Sequence, residues 1–127
     1  MRINKTDIPV EIDAPGAVAR HAPGFGQGLA AEFFSLGAGF DLAPMLEGLH
    51  ENACPAAHGG YGASGDVTGT YTDGTHETCV AGDLFYWPAG HSIRAGVDAE
   101  IVLFSEQAEH RAVIDHIQNQ ATHATGH

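Results

Sequence analysis

Turn signals recur every eight to twelve residues along most of this chain, which restricts its regular structure to short strands. Asp73-Gly74 is the clearest of them. It separates two Thr/Val/Tyr-rich runs, 66–72 and 75–80, and reads as a β-hairpin. Leu84–Trp87 is a further strand, stopped by Pro88-Ala89-Gly90, and 91–95 and 100–104 follow it. Upstream, 29–36 carries Phe33 and Phe34 as core aromatics, 40–46 is an apolar run broken by Pro44, and 50–58 and 61–64 continue the series. Such spacing predicts an antiparallel sandwich or barrel, an all-β fold.

The two ends differ from the middle. Residues 1–28 are interrupted by Pro9, Pro15, Gly16, Pro23, Gly24, Gly26 and Gly28, and read as an irregular or edge-strand arm. Residues 29–105 form the predicted barrel. Ser105 stands where a helix cap is expected, before a helix over 106–119 with Ala112, Val113, Ile114 and Ile117 on one side. The tail 120–127 has no core residues and is expected to fray. No repeat or linker divides the 127 residues, so one domain is expected.

Composition narrows the function classes. Five Lys+Arg against 16 Asp+Glu give a formal charge of −11, which repels phosphate backbones and anionic lipids and argues against nucleic-acid binding. No apolar stretch is long enough to span a membrane, and the first residues lack a signal core, so a cytoplasmic protein is expected. Two cysteines, Cys54 and Cys79, are too few for a disulfide framework, although one bridge between them stays open.

Chemistry concentrates in Cys54, His58 and His91. Thiolate and imidazole are the side chains that best hold borderline-soft divalent metals. On an uninterrupted strand, residues of equal parity share a face, so His50, Asn52, Cys54 and His58 would point one way, with Gly60, Gly62 and Ser64 leaving room for a bound molecule. The Pro88-Ala89-Gly90 turn would aim His91 reproducibly. Asn52 and His50 are candidates for a fourth ligand, or else surface loop residues.

Each residue also has a plainer reading. His58 would be a core histidine on a backbone carbonyl, His91 a strand-capping turn residue, and Cys54 a small buried hydrophobe. Cys79 reads as core. Tyr61 reads as packing outside the cavity, and Tyr86 and Trp87 as core or dimer-interface aromatics. His110, His116, His123 and His127 read as solvent-facing, and Asp41, Glu47 and Glu51 as a solvated acidic face. No phosphate-cradling loop, dinucleotide fingerprint or His-Glu-x-x-His motif is present.

Over 42–104 the chain resembles the cupins. That family's first motif has two histidines one residue apart, a glutamate four or five residues later, and a glycine beyond six more. Counting back from Gly65 puts His58 at the glutamate position, Cys54 at the second histidine and Asn52 at the first; the motif's opening glycine falls at Leu46. Gly82, Pro88 and Gly90 match the second motif, whose histidine position is Ile93, two residues after His91. The pattern is similar to a subgroup of small bacterial cupins with Cys-x3-His-x2-Tyr and Pro-x-Gly-His.

The resemblance implies a cupin double-stranded β-helix (jelly-roll barrel) with a short C-terminal helix, and homodimerisation through the arm or an outer sheet face. It implies one divalent transition metal (Zn, Fe, Cu or Ni) on Cys54, His58 and His91 and a small-molecule substrate. Oxygenase chemistry would need Fe or Cu, whereas lyase or cyclase chemistry would suit Zn. Two alternatives stand beside this: a non-catalytic metal- or small-molecule-binding sensor, and a metal-free thiol enzyme using Cys54 with His58 as base.

Overall fold

The computed structural model of the protein describes residues 2–125, the side chains of 50, 107, 110 and 121–125 excepted. Among the described residues, nine strands precede one α-helix: β1 (Val10–Ala14), β2 (Ala17–Gly26), β3 (Leu29–Leu36), β4 (His58–Ser64), β5 (Asp66–Tyr71), β6 (His76–Val80), β7 (Leu84–Trp87), β8 (His91–Ala95), β9 (Ala99–Glu106) and α1 (Gln107–Thr125). They form a six-stranded sheet in the order β1-β2-β3-β9-β4-β7 and a three-stranded sheet in the order β6-β5-β8, with antiparallel pairing throughout. The all-β jelly-roll expectation therefore holds.

Local chemistry explains the turns. Asp73 Oδ1 accepts from Thr75 N (2.9 Å) and Thr75 Oγ1 (2.6 Å), closing the β5–β6 hairpin as the Asp-Gly pair predicts. Gly65 makes the corner where the chain leaves one sheet for the other. Its φ is +69°, and a Cβ there would lie 2.8 Å from Ala99 Cα, so only glycine fits. The core between the sheets is built on Trp87, Val67, Ile93, Ile101 and Leu103.

Four expectations need correction. Of the two readings of 1–28, the edge strand holds for β1, which lies at the margin of the large sheet, but the stretch is not irregular and β2 lies inside that sheet. Its apparent breakers are hairpin turns. Pro15-Gly16 joins the paired Ala14 and Ala17, and Gln27-Gly28, both at positive φ, join Gly26 and Leu29. Pro23 and Gly24 fall where the β2–β3 register shifts. The apolar run 40–46 ends in a 3₁₀ turn, Ala43–Leu46, that begins beside Pro44. Residues 50–58 are not a strand, because Glu51 and Asn52 have φ of +55° and +53° and turn the chain.

The fourth correction concerns the C-terminal end. Ser105 does not cap a helix; it is a buried residue of β9, which continues directly into α1. The helix runs to Thr125 rather than 119. Its buried face, Val113, Ile114 and Ile117, closes one mouth of the barrel against Ile12 and Leu42. Polar contacts pin its other sides. Arg111 bridges Glu11 (3.2 Å) and Asp115 (2.8 Å), Gln118 Nε2 donates to Glu11 O (2.6 Å), and His116 Nε2 bonds to Glu47 O (2.7 Å). His116 is thus half-buried and bonded instead of solvent-facing. His110 (side chain), His123 (side chain) and His127 lie outside the described residues.

Candidate metal centre

Cys54, His58 and His91 come together. One donor atom from each lies within 4.8 Å of the other two, and all three residues are buried. Different devices position them. Cys54 is held by an isolated bridge to β8: Cys54 N donates to His91 O (2.7 Å), and Gly90 N donates to Cys54 O (2.7 Å). One short ladder contact thereby fixes two of the three donors. His58 opens β4 opposite Trp87 of β7. Its ring meets that of His91 edge-on, with centroids 5.1 Å apart.

Both imidazoles are oriented by a second partner. His91 Nδ1 donates to Pro88 O (2.8 Å), so Nε2 keeps its lone pair. His58 Nδ1 is bonded to Ser105 Oγ, and the tautomer in which Nδ1–H donates leaves Nε2 facing Cys54 Sγ at 3.5 Å. Hydrogen bonding from the far ring nitrogen is how metal-ligating histidines are usually held.

The separation itself is informative. A tetrahedral ion at Zn–S of about 2.3 Å and Zn–N of about 2.05 Å spaces sulfur and nitrogen about 3.6 Å apart. The donor set therefore suits such an ion in chemistry, and the Cys54–His58 separation of 3.5 Å matches its span. Burial pushes the Cys54 thiol up to about 11, and burial holds His91 below its ordinary value. A reactive thiol needs the opposite shift, which weighs against a metal-free nucleophile at Cys54. Cys54 and Cys79 are both free, which removes the disulfide alternative.

Other expected members of the site are elsewhere. Asn52 is exposed, and its Oδ1 accepts from Gly48 N (3.1 Å). The His50 side chain lies outside the described residues. Gly60 and Gly62 do not make room for a ligand. A Cβ on Gly60 would collide with the Phe85 ring and sit 2.6 Å from Val102 O; one on Gly62 would sit 2.7 Å from Val80 O. That space is filled by Phe85, which stacks on Trp87 at 4.1 Å, and by the Val80 backbone. Trp87 is core, Cys79 is buried, and Tyr61 and Tyr86 face outward.

The cavity beside the three donors is about 30 Å³, roomy enough for one water-sized group. Its walls are Ile12, Phe34, Leu42, Trp87, Ile93 and Leu103, closed by the apolar face of α1. Among these apolar walls stands Glu32 of β3, only 3% exposed. Sequence reasoning passed over it. The signal was present: Ala30, Glu32, Phe34 and Leu36 alternate on one face of β3, and all four are buried, so a carboxylate occupies a core position. Ser105 was also misread, as a cap instead of the partner of His58.

No protein-family model and no curated protein matches the chain. Solved structures do. A tryptophan-to-tyrosine variant of Bacillus subtilis oxalate decarboxylase superposes with a TM-score of 0.64 at 24% identity, over 83% of this chain and 29% of the enzyme. The Bacillus subtilis enzyme characterised through its Mn(II) centres gives 0.64 at 25%, again over 83% and 29%. A formate complex of Lactobacillus farciminis oxalate decarboxylase gives 0.61 at 23%, over 83% and 32%. The chain thus spans less than a third of these enzymes' length. Two antiparallel sheets around a buried donor cluster, superposing on oxalate decarboxylases of the cupin superfamily, identify the architecture: this chain has the cupin fold.

Proposed function

We propose that this protein is a metal-dependent cupin enzyme acting on a small organic molecule, with one divalent transition metal held by Cys54, His58 and His91. The carrying observation is the 3.5 Å separation of Cys54 Sγ and His58 Nε2, matched to a shared tetrahedral ion, with the far nitrogen of each ring already engaged. A thiolate in the set favours Zn, Fe, Cu or Ni over the harder Mn(II). A bound ion supplies Lewis-acid chemistry or, for Fe and Cu, redox chemistry. The chain's own residues orient the donors, exclude bulk water behind α1 and keep the surroundings apolar. The activity named for the structural neighbours, oxalate decarboxylation, is one member of the lyase class this reading includes.

A non-catalytic metal or small-molecule sensor is the second reading. The small closed cavity favours it, since a substrate larger than a few atoms enters only if α1 shifts. The two free thiols suit a reducing, cytoplasmic setting. Tyr61, Leu84, Tyr86 and Phe104 stand exposed on one outward face of β4, β7 and β9, and favour a homodimer, which sedimentation velocity would test.

Elemental analysis of untagged protein tests the centre. Wild type is expected to carry close to one transition metal per chain, and Cys54→Ser and His91→Ala less than about a tenth of that. Equal metal in all three would overturn the proposal. Stoichiometric metal with no turnover on a panel of small neutral molecules, carboxylates and thiols would favour the sensor.

A further inference from the structure

Among the described residues the two sheets leave four edges, and three of them are blunted. β1 carries Glu11 and Asp13, and its register against β2 shifts between Val10 and Ile12. β8 is covered by the isolated bridges from Asp41 and Cys54. β6 carries His76 and Glu77. β7, outermost in the large sheet beside β4, has none of these devices. It reads Leu84-Phe85-Tyr86-Trp87, with no charge, no proline and no register shift against β4.

The pairing with β4 says which backbone groups are left over. Gly62 N donates to Asp83 O (2.9 Å), and the register continues as Tyr61 with Leu84, Gly60 with Phe85, Gly59 with Tyr86 and His58 with Trp87. Bonded and non-bonded pairs alternate along an antiparallel ladder. Phe85 and Trp87 therefore bond to β4, while the N–H and C=O of Leu84 and Tyr86 point away from it. A groove of about 450 Å³ lies beside this margin, between Tyr86 and Pro88 on one side and Thr75 and Glu77 on the other. The side chains add apolar area at the same place. Leu84 is 84% exposed and Tyr86 63%, next to the half-exposed Tyr61 of β4.

A second copy of the chain supplies what this edge lacks. Set antiparallel about a two-fold axis at Phe85, two β7 strands place Leu84 opposite Tyr86 of the partner subunit, and the reverse. Each such pair is bonded in both directions, and Leu84 packs on the partner's Tyr86 along the outward face. Charge selects the same margin. Each copy has a formal charge of −11, so two copies repel wherever their carboxylates meet, and β7 brings none. Asp83, just outside the strand, falls opposite the partner's Trp87 in this register, not opposite a second aspartate.

We propose that the large sheets of two copies join edge to edge through β7, in the register that sets Leu84 against Tyr86 of the partner subunit. This deepens the homodimer reading above and rests on it.

Sedimentation velocity of the full chain over about 20–500 μM comes first. A dimer fraction that grows with concentration is expected; monomer throughout removes the homodimer reading and this interface with it. Amide exchange of the wild type, followed residue by residue by NMR, then locates the contact. The Phe85 and Trp87 amides, bonded to β4, should exchange slowly in monomer and dimer alike. Those of Leu84 and Tyr86 should exchange freely in the monomer and at least about fivefold more slowly in the dimer. A dimer in which these two amides stay unprotected overturns edge pairing and leaves the homodimer standing on another surface. Leu84→Asp gives a second readout at a position too exposed to disturb the fold. Its dissociation constant should rise at least about tenfold, while Val97→Asp, half-exposed in the β8–β9 turn, should leave it nearly unchanged. Equal weakening by the two variants would assign the effect to net charge alone and overturn the inference.

Discussion

At pH 7 the Cys54 thiol, pushed up to about 11 by burial, is protonated almost entirely unless an ion displaces its proton. His91, held low by burial, is already neutral and releases none. Zn²⁺ affinity should therefore tighten about tenfold per pH unit between about pH 7 and 9, one proton leaving per ion, as read by competition with a chelator of known proton dependence. Cys54→Ser should flatten that slope and weaken binding by about a hundredfold or more; an unchanged slope would show that another donor carries the proton. Residues such as these were legible by chemical type. The reason offered for their convergence was not: parity along 50–58 fails because Glu51 and Asn52 adopt positive φ, and Cys54 reaches the site through its bridge to His91. Asn52 was lost for the same cause. Glu32 lies outside every motif spacing, and its own signal is a charge on the inward face of a strand.

At the scale of elements, β4 and α1 carry the informative tests. Gly60 lets the Phe85 ring and the β9 backbone approach β4, so Gly60→Ala should destabilise the fold by about 2–3 kcal/mol in urea unfolding, as overpacking does, with no enlargement of any ligand space. A neutral effect would restore the view that this glycine borders an open pocket. Ile114 is 2% exposed over the cavity, and Ile114→Ala should lose about 2–4 kcal/mol, the usual result of deleting a buried branched side chain. The run of short strands and the Asp73-Gly74 hairpin followed from turn chemistry and alternation. The first two strands did not, because Pro15-Gly16 and Gln27-Gly28 were counted as breaks, when hairpins need those conformations at those places. The extra length of α1 was hidden by a polar C-terminal stretch that offers little apolar periodicity.

For the whole molecule, the two site shifts define a pH window for the metal-free protein. His91 is depressed below its ordinary 6.5, so its contribution to stability is present above that pH and is lost as pH falls. Cys54 is raised from 9.0 to about 11, so its contribution is full below pH 9 and is lost as pH climbs toward 11. Thermal melts of chelator-treated protein should show Tm highest between about pH 6.5 and 9 and falling on both sides; a maximum outside that interval would mean that surface carboxylates dominate instead. The backbone bridge between Cys54 and His91 has one more consequence. Peptide hydrogen bonds, assembled as the barrel closes, have already brought a sulfur and an imidazole from distant stretches of chain into register. An incoming ion would be a guest in a finished house, unlike the zinc of a finger peptide, without which nothing stands. Stripping it should leave the far-ultraviolet dichroism untouched, and reloading should proceed without refolding.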